Sequence, residues 1–171
     1  MSKKTVVLAV GLGWAAFACS NTNRPTRDSL VAEFEKGFIR QYAEVTGRNE
    51  FGDPGLKAEV EKLKDGDSLA IVKFSTDGGT WSRELRFQIL EAEAYPIEDD
   101  GIGIAGIGRI LFRVTRITRE PGGGASPETI YEEEHIAALA GKKGGQWSFK
   151  DEAWIRGVFE REKAAAAQGR E

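Results

Sequence analysis

With one cysteine, one histidine and one methionine in 171 residues, the chain lacks the raw material for several kinds of site. A lone cysteine, Cys19, excludes an intramolecular disulfide framework. The lone histidine, His135, finds no second histidine or cysteine past Cys19 with which to build the usual zinc shell. Basic residues are outnumbered too: 24 Lys and Arg against 27 Asp and Glu leave a formal net charge of −3. Such a balance argues against binding nucleic acid by bulk electrostatics. The longest apolar run, residues 5–18 (TVVLAVGLGWAAFA), falls short of the roughly 20 residues that a membrane-spanning helix needs. Linear nucleophile and metalloprotease signatures (Gly-x-Ser-x-Gly, Ser-x-x-Lys with its partner motifs, His-Glu-x-x-His) are missing. So is any internal repeat.

What is present begins at the N-terminus. Lys3 and Lys4 precede the apolar run, which stops at the small residue Ala18 and is followed by Cys19-Ser20-Asn21-Thr22. This is the layout of a cleaved export signal over residues 1–18. Removing it leaves 171 − 18 = 153 residues, with 24 − 2 = 22 basic and 27 acidic groups, a charge of −5. That length suits one domain with its own core.

Ala16-Phe17-Ala18-Cys19 resembles the lipobox of bacterial lipoproteins. The resemblance implies that Cys19 carries a diacylglycerol and that the membrane is the protein's first partner. It also implies, from Ser20 after the cysteine, the periplasmic face of a Gram-negative outer membrane. Residues 19–27 then form the lipidated cysteine and a polar tether, and residues 28–171 a single α+β domain.

Within that domain, Asp28 or Ser29 is expected to cap a helix whose apolar face holds Val31, Phe34, Phe38, Tyr42 and Val45 and which stops at Gly47. A second helix is expected from Asp53 as cap and Pro54 in the first turn, with Leu56, Val60 and Leu63 on one face and Gly66 past the end. From Ser68 the period changes to two. Strands are expected at Leu69–Phe74 and Glu84–Tyr95, joined by an Asp77-Gly78 turn, with a parity slip between Ile89 and Leu90 that signals a bulge. Further strands follow at Ile110–Val114, Thr129–Ala140 and Gln146–Phe149. Short connections favour antiparallel pairing. A last helix places Trp154, Ile155, Val158 and Phe159 on one side. The fold class is therefore α+β: N-terminal helices, a curved antiparallel sheet and a C-terminal helix, with the helices packed on one sheet face. This order of elements is similar to that of the NTF2-like or cystatin-like class, and Gly145-Gln146-Trp147-Ser148-Phe149 resembles the last strand of small NTF2-like lipoproteins. The resemblance implies a cone-shaped sheet that serves pocket enzymes in some members and non-catalytic domains in others.

Gly101-Ile102-Gly103-Ile104-Ala105-Gly106 matches the spacing of a dinucleotide loop, but Glu98-Asp99-Asp100 before it would repel phosphate and a strand follows where a helix is required. Residues 101–108 read instead as a hairpin tip or glycine-kinked strand. Ile102, Ile104 and Ile107 are either core or, if exposed, a contact for a partner or the membrane. His135 follows three glutamates, of which only Glu133 shares its strand face, so a solvated histidine is expected rather than a metal or catalytic site. Arg109, Arg113, Arg116 and Arg119 are expected to pair across strands with Glu132 and Glu134. Trp81, Trp147 and Trp154 are expected to fill the core and the helix–sheet seam. No cofactor is implied. Two functions follow: a lipid-anchored envelope protein that binds or assembles with another envelope protein without catalysis, or a lipid-anchored pocket enzyme using carboxylates and Tyr42, Tyr95 or Tyr131.

Overall fold

The computed structural model of the protein describes residues 25–98, 103–141, 145–150 and 152–169. Cys19, the expected leader and Ile102 lie outside these residues. Six strands, β1 (Ala58–Lys62), β2 (Ser68–Thr76), β3 (Gly79–Pro96), β4 (Ile104–Arg119), β5 (Ala125–Ala140) and β6 (Trp147–Phe149), pair antiparallel in chain order. The sheet is a meander curled into a half-barrel.

Its curvature is written into local irregularities. The ladder between β3 and β4 steps from Ile89 to Glu91, so Leu90 is the extra residue of the expected bulge. A second bulge leaves Ile130 of β5 unpaired between Thr129 and Tyr131. Asp77 and Gly78 form the tight turn into β3, where Gly79 takes a φ of 121° that a side chain would resist.

The N-terminal helical run has three contiguous segments: α1 (Arg27–Glu33), a π-helical turn (Phe34–Phe38) and α2 (Ile39–Phe51). Thr26, rather than Asp28 or Ser29, caps it: its hydroxyl accepts from the Ser29 N–H at 3.1 Å while Ser29 returns a bond to the Thr26 N–H. The π turn inserts one residue into the buried stripe, which therefore runs Leu30, Phe34, Ile39, Ala43, Gly47. A constant 3.6 period places Val45 inside, but the inserted residue turns it outward and it is 43% exposed. Gly47 does not end the helix. It sits where a side chain would press on Val72 at 3.1 Å, and the run closes five residues later at Gly52, in the left-handed conformation with φ 70°.

The second expected helix is a strand. Asp53 accepts a hydrogen bond from the Gly55 N–H at 2.8 Å, an Asx turn instead of a helix cap. Leu56, Ala58 and Val60 then follow a period of two, and β1 pairs with β2 (Ala58↔Val72, Val60↔Ala70). A helix this short needs tertiary packing to survive, whereas the open edge of β2 offers the backbone a partner for every other residue.

Helices cover both faces of the sheet, not one. The segments α1 and α2 fill the concave face, packing on Leu85, Phe87, Phe112 and Trp147. On the other face, Ile155 and Phe159 of α3 (Ala153–Gln168) bury themselves against Ile107 and Ile136. The reason lies in neighbouring residues of opposite parity: Ile107 and Ile110, or Ile136 and Ala137, are all fully buried, so this end of the sheet is apolar on both faces and each needs a cover. Of the three isoleucines near the glycines, Ile107 is thus core and has no surface to offer a partner, and Ile104 is half-buried beside the same cluster. Trp154 lies one position off the Ile155/Phe159 stripe and is 45% exposed, contrary to expectation. Trp147 is buried as expected, its indole N–H donating to Ser29 Oγ at 3.1 Å; Trp81 is half-buried beside Phe74.

Two arginines of the row, Arg109 and Arg113, take the expected Glu134 and Glu132, whereas the strand registers give Arg116 and Arg119 other carboxylates. Arg113 meets Glu132 and Arg116 meets Glu128, each at 2.5 Å, and Arg119 binds Glu84. Arg109 meets Glu134 at 2.8 Å, and Glu134 also receives Arg156 of α3. Burial favours protonation of Glu134, but the bonds from Arg109 and Arg156 outweigh it and hold the carboxyl below its ordinary 4.5. A carboxylate held down in the folded state contributes stability above its unfolded pKa and loses it as pH falls through the folded value. Acidification below about 4.5 should therefore loosen α3. Amide hydrogen exchange across α3, followed against pH, is expected to show this step in the native chain and a weaker one in Glu134→Gln.

Candidate functional site

Where α2 meets β5, four polar side chains converge. The period of two along β5 puts Tyr131, Glu133 and His135 on the concave face, and the π turn moves Tyr42 from the centre of the helix's buried stripe to its flank, facing them. The Tyr42 hydroxyl shares a hydrogen bond with the Tyr131 hydroxyl and donates to Glu133 Oε1 at 3.3 Å. The other carboxylate oxygen, Glu133 Oε2, lies 3.1 Å from His135 Nε2. Glu133 and His135 are thus neighbours on one face, as the strand parity requires. The imidazole is not a solvated one, however: its ring stands 4.8 Å from Phe38 and 5.7 Å from Phe112, and its side chain is 24% exposed.

These contacts set the chemistry. Burial, then the bond with Tyr131, then the charge of Glu133 push the Tyr42 phenol far above its ordinary range. Burial and Glu133 also raise Tyr131, although its bond with Tyr42 acts in the opposite sense. Both phenols stay protonated at neutral pH, so they donate hydrogen bonds and do not act as bases. The result is a chain of hydrogen bonds from Tyr131, 42% exposed at the surface, through Tyr42 to Glu133 and His135. Tyr95, the third tyrosine named from sequence, lies elsewhere, edge-on to Phe159 at 5.5 Å.

Beside the phenols opens a groove of about 390 Å³. Tyr42, Leu85, Ile130 and Tyr131 give it apolar walls, and Thr46, Asn49, Glu50 and Arg116 a polar rim. Arg116 is held by Glu128 and lies 3.6 Å from Glu50, so the rim is electrically balanced. Thr46, Asn49 and Glu50 carry no signal in the sequence; the π turn, which sets their rotation about the helix, is invisible there. Among the described residues, no three His, Cys, Asp or Glu side chains gather in a way that could hold a metal ion.

The fold and site together define an α+β domain in which a meander half-barrel has its concave face filled by an N-terminal helical run, with an amphipathic groove at the helix–sheet seam. No family model matches the chain, and neither does any curated protein or solved structure.

Proposed function

We propose that this chain is a lipid-anchored envelope protein whose domain binds another envelope protein, without catalysis, in the groove between α2 and β5. The observation that carries this reading is the filling of the concave face. Phe34, Ile39 and Ala43 occupy the space that a pocket enzyme would keep open, packing with Leu85, Phe87 and Phe112. The groove beside Tyr131 remains open and combines apolar walls with hydrogen-bonding rims, the mixture that interfaces favour. Anchoring rests on the lipobox-like residues 16–19, and none of the described helices is long and apolar enough to cross a membrane. A helical run held against the concave face of a curled antiparallel sheet supports kinship with the NTF2-like or cystatin-like class.

Two measurements test this. A photo-crosslinking residue placed at Asn49 in the cell-expressed protein is expected to give a discrete adduct with an envelope protein, lost when Tyr131→Ala is added. The same residue at Gln88, exposed on the opposite sheet face, is expected to give none. Equal adducts from both positions, or none from Asn49, would overturn the groove as the binding site. For the anchor, mass spectrometry of membrane-fraction protein is expected to find diacylglycerol on Cys19, and an unmodified cysteine would remove it.

The Tyr42–Glu133–His135 chain favours a second reading, acid–base catalysis at the groove with Glu133 or His135 as base. Turnover of an ester, amide or ketone that Glu133→Gln abolishes without changing the melting temperature would favour catalysis over binding alone.

A further inference from the structure

The lipid anchor restrains which part of the domain can face the bilayer. From Cys19 to Pro25 the chain has 25 − 19 = 6 residues, which reach about 20 Å even fully extended. Pro25 is where the described chain starts, and it lies directly on Gly106 of β4, so closely that a side chain at Gly106 would collide with the proline ring. Gly106 stands near the start of β4. The ends of β3 and β5 lie at the same end of the sheet, tied to it by the Ile97 N–H donating to Ala105 O at 3.2 Å and the Gly141 N–H to Gly103 O at 2.5 Å. A tether shorter than a small domain's diameter must hold this end, and not the opposite one with Trp81 and the Asp77-Gly78 turn, next to the membrane.

A second observation, independent of the tether, falls on the same end. Large hydrophobic side chains exposed among the described residues are Val45, Tyr131 and Trp154. Trp154, at the start of α3, borders a small apolar groove of about 170 Å³ with Ile104, Ala138 and Ala140, rimmed by Gln146 and Lys150. Its indole N–H is bonded to Glu152, so one edge of the ring is polar and the other apolar. An amphipathic indole of this kind suits the level of lipid headgroups, and Lys150 beside it suits their phosphates.

We propose that the Trp154 groove, with Ile104 and Lys150, is the surface on which the domain rests against the bilayer, a second and shallow membrane contact added to the lipid on Cys19. It rests on the anchor reading above. The two acyl chains of the diacylglycerol hold the chain to the bilayer but leave the domain free to turn on its tether, and a shallow second contact of this sort is what fixes its orientation. With the domain resting on this end, the Tyr131 groove on the concave face is held away from the lipid and open to a partner.

The test uses the mature, cell-acylated protein reconstituted into vesicles of phosphatidylethanolamine and phosphatidylglycerol containing brominated acyl chains. Trp81, Trp147 and Trp154 are the tryptophans beyond Cys19. Bromolipid is expected to quench part of the native fluorescence; Trp154→Phe should lose most of that quenching and Trp81→Phe keep it. Mass spectrometry on the same samples reads the anchor separately. If Cys19 is acylated and Trp154→Phe quenches like the native protein, this surface does not touch lipid and the inference is overturned while the anchor stands. If Cys19 carries no lipid, the anchor reading fails and the inference falls with it.

Discussion

Phe112→Ala is expected to lower the free energy of unfolding by about 3–5 kcal/mol, the usual cost of emptying a fully buried phenylalanine site. Phe112 is completely buried at the middle of β4 and has aromatic neighbours on every concave-face element around it: Phe34 at 4.9 Å, Phe38 at 5.8 Å, Phe87 at 5.9 Å, Tyr42 at 6.2 Å and His135 at 5.7 Å. Those rings belong to the π turn, α2, β3 and β5, so no single neighbour can move into the space without pulling a whole element from its own contacts. Against a total stability of about 5–15 kcal/mol for a domain, the loss is a large fraction. Urea unfolding followed by tryptophan fluorescence measures it. Because Phe112 also supports Tyr42 and His135, the same variant should disturb the Tyr42–Glu133–His135 chain. A midpoint close to that of the native protein would show that the concave core is looser than its contacts imply.

Phe159→Ala is expected to release α3 while the rest of the domain stays folded. The ring of Phe159 is fully buried in a cluster whose other buried members are Ile107, Ile136, Ala138 and Ile155, separate from the main core. Arg109 and Lys163 stand over the ring at 5.9 and 5.8 Å, so its removal also takes away two cation–π contacts. The loss again amounts to about 3–5 kcal/mol, here drawn from the docking of one element, and a free helix of α3's length is marginal in water. Opening of α3 thus becomes the lowest-energy unfolding event. Hydrogen exchange is expected to show α3 amides near the unprotected rate while Phe112 and Val114 in β4 keep their protection. Loss of α3 and of the sheet in one shared transition would mean that the two clusters act as a single cooperative core.

These expectations depend on features that were unequally visible in the sequence. Periodicity of two along β3, β4 and β5, the Asp77-Gly78 turn and the bulge at Leu90 are local, and each survived because a strand's alternation fixes which residues face which way. Charges gave the Arg109–Glu134 and Arg113–Glu132 pairs for the same reason, since opposite charges at facing positions of adjacent strands meet, but the partners of Arg116 and Arg119, Glu128 and Glu84, came only from the register. The helical part was less legible. The π turn changes the face of everything after Phe38 by a single inserted residue, and no residue between Phe34 and Phe38 announces it. That one shift moved Val45 outward and Tyr42 to the flank, where it completes the site.

Residues 53–66 show the same limit in another form. Asp53, Pro54 and Gly66 carry strong helix punctuation, and Leu56, Val60 and Leu63 fit a helical face, yet the segment pairs with β2. Local propensity is worth tenths of a kilocalorie per residue, and a free strand edge outweighs it.

The sequence by itself determined the alternation of the strands, the Asp77-Gly78 turn, the Arg109–Glu134 and Arg113–Glu132 pairs and the lipobox-like pattern ending at Cys19, because each depends on patterns local to the chain. Tertiary structure decided that helices cover both faces of the sheet, that Tyr42 reaches Tyr131 and Glu133 across some 90 residues of chain, and that Trp154 and Pro25 share one end of the domain. Those outcomes come from how a curled sheet divides its apolar surface between two faces, a property no segment has until the strands are paired.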